Sequence, residues 1–344
     1  MARIGKLTLN APFFQAGLAG YSDAAMRLVA RRHGCPYAVT EAMLDQFLIR
    51  GGKGLKQAHL TEEDHPIAGQ LMGSHPVEIA QAARILVDLG YDVVDINLAC
   101  PVKKIRKRSR GGHLLQVPNE AVDILQAVRH AVPADVPCTV KLRRGTDDSS
   151  KAAADFFQIF EAVVELGYAA ATVHGRTVEQ KYNGPSRWPF LRDLVGRYGH
   201  VDSLSIFGSG DIWTASDIFD MIQQTGVQAV SVARGCIGNP WIFTQAQAIA
   251  QGNPTAATWR PTLGQQRSVL LDHFELSVSV HGERTAGMMM RKFGIKFARH
   301  HVDGDSVAKA FIAVKTLDDW QAVLDRHYVA NEPVANTVEW VGLE

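Results

Sequence analysis

The segment Val93–Gly112, VVDINLACPVKKIRKRSRGG, holds the pattern that decides the fold of this chain of 344 residues. Val93–Leu98 has the composition of a strand buried on both faces, and it runs out into an amide at Asn97, a thiol at Cys100 and a proline. Six of the eight residues from Lys103 to Arg110 are then basic. A strand that is apolar along its length and chemically capable at its C-terminal end is the unit from which parallel α/β barrels build their sites. A cysteine beside this much positive charge points to acid–base or nucleophilic chemistry on a polyanion.

The same unit recurs eight times. Strands are predicted at Phe13–Leu18, Tyr37–Thr40, Ile67–Met72, Val93–Leu98, Cys138–Leu142, Ala170–Val173, Leu204–Phe207 and Ala229–Val232. Amphipathic helices are predicted between them, among them Pro76–Leu89, Pro118–Val132, Ala152–Leu166 and Thr214–Thr225, with Gly90, Gly167 and Gly226 placed to close helices. Eight alternating units predict a (β/α)8 TIM barrel. The competing architecture, a doubly wound open sheet, lacks a GxGxxG after the first strand.

Polar residues fall at the C-terminal ends of the strands: Glu41, Gln70, Asn97 with Cys100, Lys141 with Arg143, His174 with Arg176, Ser209 with Asp211, and Arg234. The first strand instead ends in AGLAGYSD, a small-residue turn that lets a flat ligand or a phosphate approach the backbone. The glycine-rich segments FGSGDI and ARGCIGNP follow the last two strands, where barrels commonly bind a phosphate. A phosphorylated cofactor is therefore expected, with Lys141 and His174 across the mouth from it. Flavin mononucleotide suits a lysine that stabilises negative charge on the reduced ring. Pyridoxal phosphate, held as a Schiff base, also uses a lysine and stays open on spacing alone.

Composition narrows the class. Lysine plus arginine (36) nearly balances aspartate plus glutamate (35), so affinity for nucleic acid must come from segregated charge. The four cysteines are far apart and form no CxxC pair, which argues against a zinc site or a disulfide framework and favours a reducing cytoplasm; no metal is expected. No apolar run approaches the roughly 20 residues that cross a bilayer, and the N-terminus lacks the core of a secretion signal. Cys35, Cys138 and Cys236 read as buried small hydrophobes.

The segments AGLAGYSD, GQLMGS, DINLACPVKK, TVKLRRG, TVHGRTVEQKYNGPSRW, GSGDI and RGCIGNPW resemble, in order and spacing, those of the tRNA-dihydrouridine synthases. DINLACPxxK together with TVHGRTxEQ is the specific combination. The tail, MRKFGIKFARHH through FIAVKTLDDW, is similar to the helical tRNA-binding domain of that family. The resemblance implies an FMN-binding barrel over residues 1–245 and a helical tRNA-binding domain over 246–344. It implies reduction of specific uridines in tRNA to 5,6-dihydrouridine, with NADPH or NADH as reductant and no obligate protein partner.

Carried over by position, the flavin contacts are Gly17, Leu18, Ala19, Gln70, Lys141, His174, Ser209, Gly210, Asp211, Ala233 and Arg234. Asn97 and Arg176 are expected at the uracil or the flavin edge. Lys103, Lys104 and Arg143 are expected to meet the tRNA. Cys100 is the expected general acid for C5 of the uracil. Cations nearby favour the thiolate, an effect that tRNA phosphates would offset. Two positions depart from the family pattern, Gly17 for proline and Ser209 for asparagine, and are expected to alter loop stiffness and one hydrogen bond. In the tail, Lys292, Lys296 and Arg299 fall on one helical face for phosphate contact, and Met290, Phe293 and Phe297 on another. A small-molecule flavin oxidoreductase and a catalytically inactive RNA-binding barrel are the competing functions.

Overall fold

The computed structural model describes residues 2–58 and 60–329. The eight apolar runs pair as parallel strands: β1 Phe13–Gln15, β2 Ala38–Val39, β3 Ile67–Met72, β4 Val93–Asn97, β5 Cys138–Arg143, β6 Ala170–His174, β7 Ser205–Ser209 and β8 Ala229–Val232. Each strand pairs with the next, and β8 pairs with β1 through Val230 and Phe13, which closes the barrel. The expected TIM barrel is thus present. β1 ends earlier than expected because Leu18 N–H turns away to Ser22 Oγ at 2.7 Å. β7 runs further because Ser209 stays in register with both His174 and Ser231.

Two short features escaped the pattern reading. An antiparallel hairpin of Arg3–Ile4 and Leu7–Thr8 precedes the barrel, and Ala2, Ile4 and Leu9 pack with Phe14, Tyr37 and Phe207. This apolar cluster fills one end of the barrel, leaving the C-terminal rim for chemistry. Met43–Leu44 adds a third pairing partner to β3, beyond β2 and β4.

The barrel helices are α1 Ala24–Arg32, α2 Pro76–Asp88, α3 Pro118–Ala131, α4 Ser150–Glu165, α5 Trp188–Tyr198 and α6 Ala215–Thr225. Proline opens α2 and α3, where its missing N–H leaves no helix bond unmade. Thr214 caps α6 through a capping box with Asp217, and Gly226 ends it at φ 76°. Gly90 and Gly167 also adopt positive φ, as expected.

Helix α7, Trp241–Ala250, runs straight through the boundary expected after Gln245. The tail proper is α8 Leu263–His281, α9 Glu283–Phe297, α10 Gly304–Ala313 and α11 Leu317–His327; the expected domain's residues 330–344 lie outside the described residues. Met290, Phe293 and Phe297 are buried, and the Phe297 ring meets Trp241 edge-on at 5.7 Å. Asp23, the N-cap of α1, pairs with His281 of α8 at 2.7 Å. Tail and barrel therefore share one continuous core. Among the described residues no helix is long and apolar enough to cross a membrane.

Candidate active site

Ladder register assembles the rim from residues remote in sequence. Gln70 of β3 lies beside Asp95 of β4, and Asn97 of β4 beside Lys141 of β5. Arg143 of β5 lies beside His174 of β6, and His174 beside Ser209 of β7. Above them opens a cleft of about 470 Å³. All eleven residues expected at a flavin line it, together with Asn97, Cys100, Arg143, Lys296 and Arg299.

The Cys100 loop is held from two sides. Asn97 Oδ1 accepts the N–H groups of Ala99 at 3.0 Å and Cys100 at 3.1 Å. Gly112 N–H donates to the Cys100 carbonyl at 3.0 Å, and a Cβ on Gly111 would come within 2.8 Å of Cys100 Cβ. Burial pushes the Cys100 thiol up, against the Val102 N–H and the charges of Arg143 and Lys141, which pull it down. The thiol therefore stays protonated at neutral pH. The basic run was expected to favour the thiolate; instead, exposed Lys103, Lys104, Lys107 and Arg108 line a separate shallow surface and are not among the charges acting on the thiol. Arg110, the last of that run, turns inward to Asp45 at 3.5 Å.

Lys141 makes no side-chain hydrogen bond to the described residues, and burial lowers its pKa, with Asp95 the main opposing charge. A half-buried cation without an acceptor among the described residues is a ready site for an anionic or electron-rich ligand. His174 lies well below its ordinary pKa through burial and then the charges of Arg143, Lys141, Arg176 and Arg234. It is a neutral imidazole, able to donate from one ring nitrogen and accept at the other.

Several expected contacts have other work. Arg176 is buried and does not line the cleft; its guanidinium pairs with Asp211 at 2.7 Å and donates to the Gly184 carbonyl at 2.9 Å. Arg143 lines the cleft, yet its donors go to the carbonyls of Ala99 (2.9 Å), Thr177 (2.8 Å) and Lys181 (2.7 Å). Lys292 donates to the Gly20 carbonyl of the loop after β1, while Gly20 N–H donates to Glu41 at 2.9 Å. It is a barrel contact and not a free cation on the tail. Lys296 and Arg299 do reach the cleft. The backbone at Gly17 leaves no room for a side chain, since a Cβ there would lie 2.2 Å from the Thr40 carbonyl.

Sequence reasoning passed over Asp95, Thr139, Tyr182 and Trp213. Asp95 had a signal: it is the one charge inside the apolar run of β4, and a buried carboxylate demands partners. Tyr182 and Trp213 had none, because they reach the site only through their rings, which flank the Arg234 guanidinium at 4.7 Å each.

Fold and cleft together define a parallel-barrel protein that gathers a protonated thiol, a half-buried lysine and small-residue loops at one mouth. The chain belongs to the dihydrouridine synthase (Dus) family, whose model matches residues 14–323. It is 32% identical over 302 residues to tRNA-dihydrouridine synthase B of Shewanella oneidensis, a match covering 87% of this chain and 88% of that one. With tRNA-dihydrouridine synthase B of Xanthomonas campestris pv. campestris it shares 32% over 301 residues, 87% of each chain. Among solved structures, histamine dehydrogenase from Rhizobium sp. 4-9 is similar in fold, with a TM-score of 0.56 and 14% identity over 80% of this chain. This chain spans 50% of that protein's length, and the likeness bears on the fold alone.

Proposed function

We propose that this protein is a cytoplasmic oxidoreductase that reduces specific uridines in tRNA to 5,6-dihydrouridine, with FMN as cofactor and NADPH or NADH as reductant. The observation that carries the reading is the convergence of Cys100 and Lys141 on one cleft of a dihydrouridine synthase barrel. The donor set fits a phosphorylated, electron-rich ring. Lys141 is a half-buried cation with no side-chain acceptor among the described residues, and Arg234 supplies a second positive charge beside the glycine-rich loops after β7 and β8. A Cβ on Gly210 would lie 2.4 Å from Ser186 Oγ, and one on Gly235 2.3 Å from the Ile212 carbonyl, so both loops can pack this closely only as glycine.

In this reading Gly17, Leu18, Ala19, Gln70, His174, Ser209, Gly210, Asp211, Ala233 and Arg234 hold the cofactor around Lys141. Held there in reduced form, FMN would supply hydride chemistry toward the uracil ring. Cys100 gives its Sγ proton to C5, which completes the saturated bond, and solvent returns the proton to the thiolate. Asn97 orients the base, and Arg143 holds the Cys100 loop over it. Asp211 would repel a phosphate were it free; its carboxylate instead engages Arg176 and the Ser186 N–H at 2.6 Å.

A uridine in folded tRNA must leave its stack to enter the cleft, at a cost of about a few kcal/mol. Lys103 and Lys104 beside the mouth and Lys296 and Arg299 from the tail would offset that cost by phosphate contact. The test is a base-by-base map of dihydrouridine in tRNA from a strain lacking this protein. Loss at defined positions is expected, and an unchanged map overturns the function.

A further inference from the structure

Beneath Cys100 four side chains form a hydrogen-bonded chain with a single direction. Thr139 Oγ1 donates to Asp95 Oδ1 at 2.6 Å, and Gln70 Nε2 donates to Asp95 Oδ2 at 2.7 Å. Asn97 Nδ2 donates to Gln70 Oε1 at 2.7 Å, and Asn97 Oδ1 accepts from Ala99 and Cys100 N–H. The two ends dictate the direction. An ionised carboxylate only accepts and a backbone N–H only donates, so each amide between them has one orientation that satisfies every member. Register supports the chain from below, since Gln70 and Thr139 are the ladder partners of Asp95 on either side.

Asp95 is 4% exposed, and no step of the proposed reaction uses it. A carboxylate inside a barrel is costly to keep charged, and here both its oxygens are occupied by donors. We propose that Asp95 is a positioning residue for the proton donor: its two accepting oxygens set the polarity of the Gln70 and Asn97 amides and so latch the loop that carries Cys100. This rests on the reading of Cys100 as the acid. An asparagine at position 95 has two orientations: with its NH2 toward Thr139 Oγ1, which can accept, the chain keeps its direction and the Thr139 hydroxyl proton loses its acceptor; with its oxygen toward Thr139 it presents its own N–H to Gln70. Gln70 must then turn over, Asn97 follows, and an NH2 group faces the Ala99 and Cys100 N–H groups. The latch is lost although no atom near the sulfur has changed.

The polarity can be restored without restoring the aspartate. In Asp95→Asn/Gln70→Glu the new amide donates to the carboxylate introduced at position 70, which also accepts from Asn97, and Asn97 again accepts from the loop. In Asp95→Asn/Asn97→Asp the chain reverses through Gln70, and the new carboxylate accepts the loop N–H groups.

The experiment measures iodoacetamide alkylation of Cys100 in the flavin-loaded protein, together with kcat and KM on tRNA. Cys35, Cys138 and Cys236 are buried, so the thiol counted is Cys100. Asp95→Asn is expected to speed alkylation and lower kcat, each by about tenfold, with KM within about twofold, as loss of one charge-assisted hydrogen bond implies. Both double variants are expected to return alkylation to near the parent rate. Unchanged alkylation and kcat in both Asp95→Asn and Asp95→Leu, which leaves Gln70 no acceptor in any orientation, overturn the proposal, as do double variants no better protected than Asp95→Asn. If Asp95→Asn does not fold, Asn97→Asp is compared with Asp95→Asn/Asn97→Asp in the same assay; equal alkylation in the two overturns it. A parent protein that reduces no uridine overturns the proposed function instead, and the alkylation series still decides the polarity.

Discussion

Arg143 Nε donates a 2.9 Å hydrogen bond to the carbonyl of Ala99, the residue before Cys100. The same guanidinium donates to Thr177 and Lys181, so one buried cation ties the Cys100 loop to the loop after β6. Arg143→Lys removes the planar fork that serves three carbonyls in different directions. It is expected to lower kcat by about a hundredfold or more with a smaller effect on KM, the size set by two lost charged hydrogen bonds. Steady-state kinetics on tRNA check this, and an equal loss in KM alone would return Arg143 to the role of a phosphate contact.

Cys100→Ala is expected to keep the yellow colour of bound flavin and abolish turnover. The parent enzyme adds a pH signature. The acid must be protonated, and burial raises its pKa above the ordinary 9.0, so the rate falls only as pH rises past that value. A kcat profile that already declines between pH 7 and 8 would refute the protonated thiol.

Lys103→Ala/Lys104→Ala is expected to raise KM for tRNA while kcat holds. The slope of log affinity against log salt should fall by about one to two, as two lost phosphate contacts require. Lys292→Ala behaves differently, because its ammonium holds Gly20 next to the proposed flavin loop. Its expected effect is weaker flavin retention, read by the absorption band after gel filtration, with an unchanged salt slope.

His273 is buried between α8 and α9, its ring 4.4 Å from Phe293, and neither ring nitrogen has a hydrogen-bond partner among the described residues. Burial lowers its pKa to about 4, against the opposing charge of Asp23. The native state binds this proton less well than the unfolded chain, so stability is complete above pH 6.5 and is lost as pH falls toward 4. The loss is on the order of 3 kcal/mol at pH 4 from the two pKa values. His273→Phe is expected to reduce the drop in Tm between pH 7 and pH 4.5, and an identical drop would refute it.

The eight strands and the long helices between them were legible in the chain's own pattern, whereas the cofactor residues came from the family resemblance, and of the polar strand ends Glu41 and Arg176 do not line the cleft. Burial on both faces, the 3.6-residue period and the polar ends of parallel strands are local properties. Once a barrel closes, every strand's C-terminal end must meet at one mouth. Closure also brings the eleven residues that the resemblance implies at the cofactor to one cleft. Side-chain direction and protonation are not local. Arg176 turning to Asp211, Lys292 reaching Gly20 and the amide chain from Asp95 to Cys100 join groups that only folding brings into contact. The Cys100 thiol shows why sequence proximity misleads: the nearby basic run predicts a lowered pKa, whereas exclusion of water, which only tertiary packing provides, raises it.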